Sequence, residues 1–154
     1  MYSLCALIGR TDDLKRKLIS HLGGRLVTLG EGLGMVPLSE ALIRELQRKA
    51  DSATDPTAVS DALEFLSPAV EGWARSLSHE SVLAYVETEY FGGEGFERAV
   101  VWRDARLALG PLDGAGSINR ALRALGVQGR SGQEEFEAVG LGRHRSLEEW
   151  LSEA

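Results

Sequence analysis

Three strand-like segments follow one another in the second half of the chain with almost nothing between them. They read "SVLAYVETEYF", "FERAVVWR" and "RLALGPL", and only "GGEG" and "DA" separate them. β-Branched and aromatic residues, which favour strands, recur in the first two. Connections this short cannot join parallel neighbours, which need a crossover of about a dozen residues or more. The three segments are therefore predicted to form an antiparallel meander.

The remaining segments predict a mixture of helices and strands. "YSLCALIG" is a strand, a helix stopped by Gly23-Gly24 follows it, and "RLVTLG" is a second strand, so the first half reads as a β-α-β unit. Ser39 and Ser117 are predicted helix caps, and helical periodicity runs through "TAVSDALEFLSPAVEGWARSLS" with a break near Pro68. The predicted fold class is α+β, with a largely antiparallel sheet, a three-strand meander in the second half and helices packed on one face.

Length bounds the domain organisation. The chain has 154 residues, which suits one domain with one core. The stretch "DSATDPTAVSD" is the most loop-like part of its middle. We therefore predict a single α+β domain over residues 1–154, with a loop-like link near 51–57.

Net charge and cysteine content restrict the classes of function. The chain carries 17 Lys and Arg against 23 Asp and Glu, a net charge of -6, whereas nucleic-acid binding needs a surplus of basic side chains on one face. No apolar run approaches the roughly 20 residues that span a bilayer. The single cysteine, Cys5, excludes an intrachain disulfide and fits a reducing compartment. We expect a cytoplasmic protein that binds neither nucleic acid nor a membrane.

Two glycine-rich runs raise the question of phosphate or nucleotide binding. A P-loop needs a Lys-Ser or Lys-Thr pair, which the chain lacks. "GGEG" leads into a strand rather than a helix N-terminus, and Glu94 would repel an anion. "GEGLG" has Met35 where a dinucleotide fingerprint needs glycine. We predict a hairpin turn at "GGEG", and no cofactor is expected.

Alternation along "AYVETEYF" places Glu87 and Glu89 on the same face of a strand. Two such carboxylates can bind a divalent cation, act as acid and base, or receive a basic partner. They can equally pair across the hairpin with Arg98 or Arg103. We predict that Glu87, Glu89 and Glu94 bind a partner.

"GLGRHRS" clusters Arg143, His144 and Arg145 just before a helix whose start is signalled by the capping-box spacing of Ser146 and Glu149. Two guanidinium groups beside a helix start can hold an anion or a carboxylate. These three residues are therefore predicted anion-binding residues. The alternative is that they pair with acidic residues of the same chain, such as Glu134, Glu135 and Glu137.

No constellation of nucleophile or metal ligands is visible. The chain lacks a G-x-S-x-G elbow, an H-E-x-x-H pair and a C-x-x-C pair, and its three histidines are scattered. Cys5 lies in an apolar run, where a cysteine is usually a small buried hydrophobe. We predict no catalytic residue and no metal site, so the sequence favours a non-enzymatic role over an enzymatic one.

Several strings resemble segments of a group of small uncharacterised bacterial proteins. They are "AYVETEYFGGEGFERAVVWRD", "SINRALRALGV" and "EEFEAVGLGRHRSLEEWL", together with "LCALIGRTDDL" and "LGEGLGMVPLSEAL" near the N-terminus. The resemblance covers most of the chain and implies no activity. In size, acidity and lack of catalytic motifs, the chain also resembles immunity proteins of bacterial toxin systems. That similarity of profile identifies no functional residue.

These observations leave two main hypotheses, and a structural component of a larger assembly is a third possibility. The first is a non-enzymatic cytoplasmic protein that binds another protein, most concretely an immunity or inhibitor protein that occludes its partner. The alternative is a small-molecule or anion-binding protein, including an enzyme, that uses Arg143 to Arg145 together with Glu87 and Glu89. The two differ in whether the basic loop and the glutamates converge in one pocket.

Overall fold

The computed structural model describes residues 1–18, 25–50 and 57–153. In chain order its strands and helices are β1 (Tyr2–Arg10), α1 (Thr11–Leu18), β2 (Val27–Thr28), β3 (Leu33–Pro37), α2 (Glu40–Lys49), α3 (Pro68–Leu77), β4 (Val82–Phe91), β5 (Glu94–Arg103), β6 (Arg106–Asp113), α4 (Ser117–Ala124), α5 (Glu135–Ala138) and α6 (Leu147–Glu153). A 3-10 turn covers Ser60–Ala62. The predicted helix stop at Gly23-Gly24, and all of the predicted link except Thr57, lie outside the described residues.

The strands form one sheet with the order β2-β3-β1-β4-β5-β6, and every neighbouring pair is antiparallel. The predicted meander is confirmed as β4, β5 and β6. Asp104 and Ala105, both with positive φ, make the tight turn between β5 and β6. In the first half, the predicted order of strand, helix and strand occurs, but β1 pairs antiparallel with β3 rather than with β2.

Hydrophobic cores lie on both faces of the sheet. We call the first the α3 face, where strand residues pack against α1, α2 and α3; its buried members include Leu7, Leu14, Leu42, Trp73, Tyr85 and Trp102. We call the other the α4 face. There the strand residues that alternate with those of the α3 face pack against α4 and α6, and the buried members include Ile8, Val86, Val101, Leu122 and Trp150.

The α+β class and the antiparallel sheet are confirmed, but the prediction that helices cover one face only is wrong. The central strands β1, β4 and β5 carry apolar residues on both sides. Strands that are apolar on both sides must be covered on both faces, because either bare face would leave a large hydrophobic area in water.

Of the two serines predicted to cap helices, one does so and the other does not. The Ser39 side chain accepts a hydrogen bond from the Leu42 amide and caps α2. Ser117, by contrast, lies inside α4, and its hydroxyl donates to the Gly114 carbonyl. The prediction that Ser117 caps this helix is therefore wrong.

The segment before α3 departs most from its predicted helical form. Ser67 caps α3, whose first residue is Pro68, so the predicted break is confirmed as a helix start. Upstream of it, the described chain is a 3-10 turn followed by a loop at 63–67. This loop lies over the α3 face and covers the part of β4 that carries Glu87.

Candidate functional site

The hairpin between β4 and β5 turns through Gly92 and Gly93. Phe91 pairs with Glu94 across the turn, and the two glycines have φ of 61° and 84°. A two-residue hairpin turn with two positive φ angles is of the type that glycine favours, since glycine has no Cβ to clash. The predicted hairpin turn is confirmed. "GEGLG" likewise turns the chain, between β2 and β3, where Glu31 and Gly32 have positive φ.

Glu87 points into the α3 face and is fully buried, with an exposure of 0%. It lies between Cys5 of β1 and Arg98 of β5 in the sheet register. The predicted alternation of β4 is therefore right, and so is the predicted pairing across the hairpin, at 3.5 Å from Arg98. The predicted role of Glu87 in binding a partner requires an exposed carboxylate, whereas this carboxylate is buried. The loop at 63–67 covers it.

The Glu87 carboxylate is saturated with hydrogen-bond donors. One oxygen, Oε2, accepts from the Glu64 amide at 2.7 Å, and the other, Oε1, accepts from the Phe65 amide at 3.0 Å. The Tyr85 hydroxyl also donates to Oε1, at 2.7 Å. A buried charge is tolerated only when it is paired and hydrogen-bonded in this way. Glu87 therefore holds the loop onto the sheet rather than facing a partner.

A half-buried thiol, Cys5, and a buried phenol, Tyr85, extend this cluster. The Cys5 sulfur lies 3.3 Å from the Tyr85 hydroxyl. Burial, and then the neighbouring Glu87 charge, raises the pKa of Cys5 to about 12, against an opposing contribution from the Tyr85 hydrogen bond. Burial chiefly raises the pKa of Tyr85 as well. Both groups are neutral near pH 7, so the thiol is not the thiolate that nucleophilic chemistry requires.

Glu71 of α3 is a second buried carboxylate, with an exposure of 3%. It accepts hydrogen bonds from the amides of Val59 and Ser60, at distances between 2.9 and 3.1 Å. Sequence reasoning missed this residue, although a signal was present. Glu71 lies three residues before Ala74, on the apolar stripe of its helix, where an acidic side chain must find donors.

The hairpin end of the α3 face carries an alternating set of rings and carboxylates. Glu89 pairs with Phe96, and Phe91 pairs with Glu94. The Phe65 ring lies 5.9 Å from the Phe96 ring. Phe91 is 75% exposed and Phe65 46%, while Glu89 is half-buried and Glu94 exposed. We call these five residues the aromatic–acidic patch.

Arg143 and His144 share one carboxylate of the same chain. Glu153 of α6 accepts from Arg143 at 2.8 Å, and its other oxygen lies 2.6 Å from the His144 ring. Arg143 also donates to the Thr28 carbonyl at 3.0 Å. Both side chains contact the buried Trp150 ring. Pairing within the chain occurs as the alternative prediction had it, but with Glu153 rather than with the glutamates at 134, 135 and 137.

Arg145 is exposed and lies two residues before α6. Its amide donates to the Glu149 carboxylate, while the Glu149 amide donates to the Ser146 hydroxyl. The capping-box spacing is thus confirmed, with the carboxylate reaching back one residue further than usual. This segment packs through Trp150 on the α4 face, so the basic loop and Glu87 lie on opposite faces of the sheet and do not converge.

Other parts of the described structure offer few ligand sites. Within the described ranges, no group of three or more His, Cys, Asp or Glu side chains is placed to hold a metal ion. Among the same residues, no helix combines the length and the apolar character that crossing a membrane requires. A surface depression of about 570 Å³ is lined by Arg44 and Arg48 of α2 and by neighbouring residues, and it contains none of the predicted site residues.

Comparison with protein-family models, curated proteins and solved structures finds no match for this chain. The resemblance to small bacterial proteins, and the profile of a toxin-immunity protein, stay predictions. The geometry of the site therefore carries the functional argument by itself.

Proposed function

We propose that this protein binds another protein through the aromatic–acidic patch, and that it acts as an immunity or inhibitor protein that occludes its partner. The observation that carries the proposal is the exposure of Phe91, a large apolar side chain held at 75% exposure beside Glu94 at a hairpin tip. Exposed rings grouped with polar residues are a feature of protein-binding surfaces.

The patch has the composition of an interface centre. Aromatic side chains dominate binding energy because they bury a large area at a small cost in side-chain entropy. Phe65, Phe91 and Phe96 lie on one face. The loop that carries Phe65 is held in place because its amides donate hydrogen bonds to the Glu87 carboxylate. A surface that is already ordered before binding loses less entropy when the partner arrives.

Charge supports a partner with a basic surface. Glu89 and Glu94 flank the rings, and the side chain of Glu64 is 59% exposed next to them. The whole chain has a net charge of -6, so its field attracts a basic protein and repels nucleic acid and anionic membranes. Inhibition then follows from steric cover of the partner's working surface. The proposal includes a cytoplasmic location, on the ground of the single reduced cysteine.

The competing hypothesis of an anion or small-molecule site at Arg143 to Arg145 has weaker support. Glu153 already supplies both oxygens of its carboxylate to Arg143 and His144. An external anion would have to displace this carboxylate. The hypothesis also needs Glu87 to join this loop in one pocket, but the loop and Glu87 lie on opposite faces of the sheet.

The experiment compares three purified proteins as baits in an extract of the native host. They are the wild type, the hairpin variant F91A/E94K, and the control variant L107A/E148K, which changes an exposed leucine on β6 and an exposed glutamate on α6. A protein that the hairpin variant loses and the control retains is then purified. We expect its Kd for the hairpin variant to rise by about tenfold or more, since central interface residues cost about 1.4 kcal/mol or more each.

The inhibitory role has its own readout. Expression of the captured partner alone should arrest growth, co-expression with the wild type should restore growth, and co-expression with the hairpin variant should not. A partner that binds through the patch but has no toxic effect would refute the immunity role while leaving protein binding intact. If no purified protein distinguishes the hairpin variant from the control, protein binding at this patch is refuted.

A further inference from the structure

Arg98 shows how the α3 face holds a guanidinium group. Its Cζ atom lies 4.7 Å from the centroid of the Phe96 ring, which is within the range of a cation–π contact. Carboxylates surround the same guanidinium, at 3.3 Å for Asp113, 3.5 Å for Glu87 and 3.7 Å for Glu64. A phenyl ring flanked by carboxylates is thus already a guanidinium site within this protein.

The residue pair next to the hairpin turn again places a phenyl ring beside carboxylates. Phe91 lies directly opposite Glu94 and two residues from Glu89 on its own strand. Side chains opposite one another in an antiparallel pair have Cβ atoms about 4.5–5.5 Å apart, and neighbours along one face are about 7 Å apart. Both carboxylates can therefore reach a cation that lies over the Phe91 ring. Arg98 cannot supply that cation, because it is held at Phe96.

We propose that the hairpin end receives an arginine side chain of the partner, stacked on Phe91 and bound by Glu89 and Glu94. The inference rests on the proposed function and specifies the chemistry of the partner at that same patch. Arginine suits the site better than lysine, because a planar guanidinium can stack on a ring while its edge donates to carboxylates.

Charge makes a cationic occupant necessary. An apolar group pressed onto Phe91 would take part of the Glu94 and Glu89 carboxylates out of water without a compensating charge, which is unfavourable. A guanidinium group supplies the missing charge and covers the ring at the same time. A second copy of this chain would bring the same acidic patch to a two-fold contact, where like charges repel.

The test uses the full-length protein labelled with 15N and a short probe peptide, acetyl-Gly-Arg-Gly-Arg-Gly-amide, at low ionic strength. The control peptide carries citrulline, which keeps the shape of arginine and removes its charge. We expect saturable shifts of the amide signals from Phe91 to Glu94 with the arginine peptide and none with the citrulline peptide. A lysine peptide should bind more weakly than the arginine peptide.

Variants separate the cation–π contact from simple burial. F91L keeps an apolar side chain without a ring, and we expect its Kd for the arginine peptide to rise about two- to fivefold, while F91W should lower it. E94Q keeps its shape and should raise the Kd by a similar factor. L107A is the matched control and should leave the Kd unchanged. Equal binding of both peptides, or an unchanged Kd for F91L, would overturn the inference.

Two outcomes distinguish this inference from the proposed function. If the captured partner loses affinity for the hairpin variant F91A/E94K but the arginine peptide fails, then protein binding stands and the arginine site is wrong. If sedimentation shows that the protein self-associates and F91A/E94K abolishes this association, a second copy is the occupant and the arginine site is again wrong. Saturable binding of the arginine peptide that F91L weakens supports it.

Discussion

Replacing Glu87 by alanine should destabilise the fold strongly, because the carboxylate is fully buried and is the acceptor for several buried donors. The substitution removes the acceptor for the amides of Glu64 and Phe65 and for the Tyr85 hydroxyl. It also leaves Arg98 with Asp113 and Glu64 as its remaining ion-pair partners.

The magnitude follows from the donors that lose their acceptor. Each buried donor that is left unsatisfied costs about 1–3 kcal/mol. Removing one partner of a buried ion pair costs about 3–5 kcal/mol. Some of this is recovered, because the loop at 63–67 can move outward and hydrate its amides. We therefore expect the free energy of unfolding to fall by about 3 kcal/mol, a large share of the 5–15 kcal/mol typical of a domain.

The assay is urea unfolding followed by tryptophan fluorescence, since Trp73, Trp102 and Trp150 are all buried. Glu87→Gln should lower the free energy of unfolding by an intermediate amount, about 1–2 kcal/mol. The glutamine amide keeps one acceptor oxygen, but its NH2 group faces donors that the second carboxylate oxygen had satisfied. Hydrogen exchange should quicken at the amides of Glu64 and Phe65.

The matched control is Glu89→Ala, on the same strand and face but half-buried. It should change stability by no more than about 0.5 kcal/mol. A loss below about 1 kcal/mol for Glu87→Ala, or equal losses for the two alanine variants, would refute the role assigned to the Glu87 carboxylate.

Three further predictions test other parts of the structure. Gly72→Ala, in open space on α3, should raise the free energy of unfolding by about 0.5–1 kcal/mol, whereas Gly95→Ala should lower it by about 2 kcal/mol or more, because a Cβ there overlaps the Glu89 carbonyl oxygen; opposite or equal changes in urea unfolding would contradict this. Cys5, whose pKa is raised to about 12, should react with DTNB at pH 8 about a thousandfold more slowly in the folded protein than in urea, where the thiol pKa is about 8.5. A ratio below about ten would contradict the raised pKa. Glu153→Gln should cost no more than about 1 kcal/mol, since its ion pairs are partly exposed, and the loss should shrink in 1 M salt; a larger, salt-independent loss in urea unfolding would contradict surface pairing.

The hairpin illustrates what alternation can and cannot predict. Period-two patterning correctly placed Glu87 and Glu89 on one face, because side chains of a strand alternate regardless of context. Their exposure differs because the loop at 63–67 covers one and not the other. That loop comes from a segment whose periodicity predicted a helix. The amides of Glu64 and Phe65 in that loop instead donate to Glu87, a carboxylate more than 20 residues further along the chain, which no local pattern reveals.

The basic loop gives the same lesson for charge. Arg143 and His144 were visible as a cluster, and pairing with acids of the same chain was one open alternative. The partner, Glu153, was not among the glutamates considered, because it approaches from the far end of α6. Helix α4 provides a further case, since Glu97 of β5 rather than a local serine accepts from the Ile118 amide at its first turn.

The sequence by itself determined the α+β class, the meander of β4 to β6, and the glycine turn at Gly92 and Gly93, because these depend on residues that are neighbours in the chain. Tertiary structure alone decided the position of β1 between β3 and β4, the covering of both sheet faces, and the burial of Glu87 beneath a loop. These features depend on groups far apart in the chain, which meet only when the strands pack. The same packing leaves Phe91 and Glu94 uncovered at the hairpin tip, where the proposed partner binds.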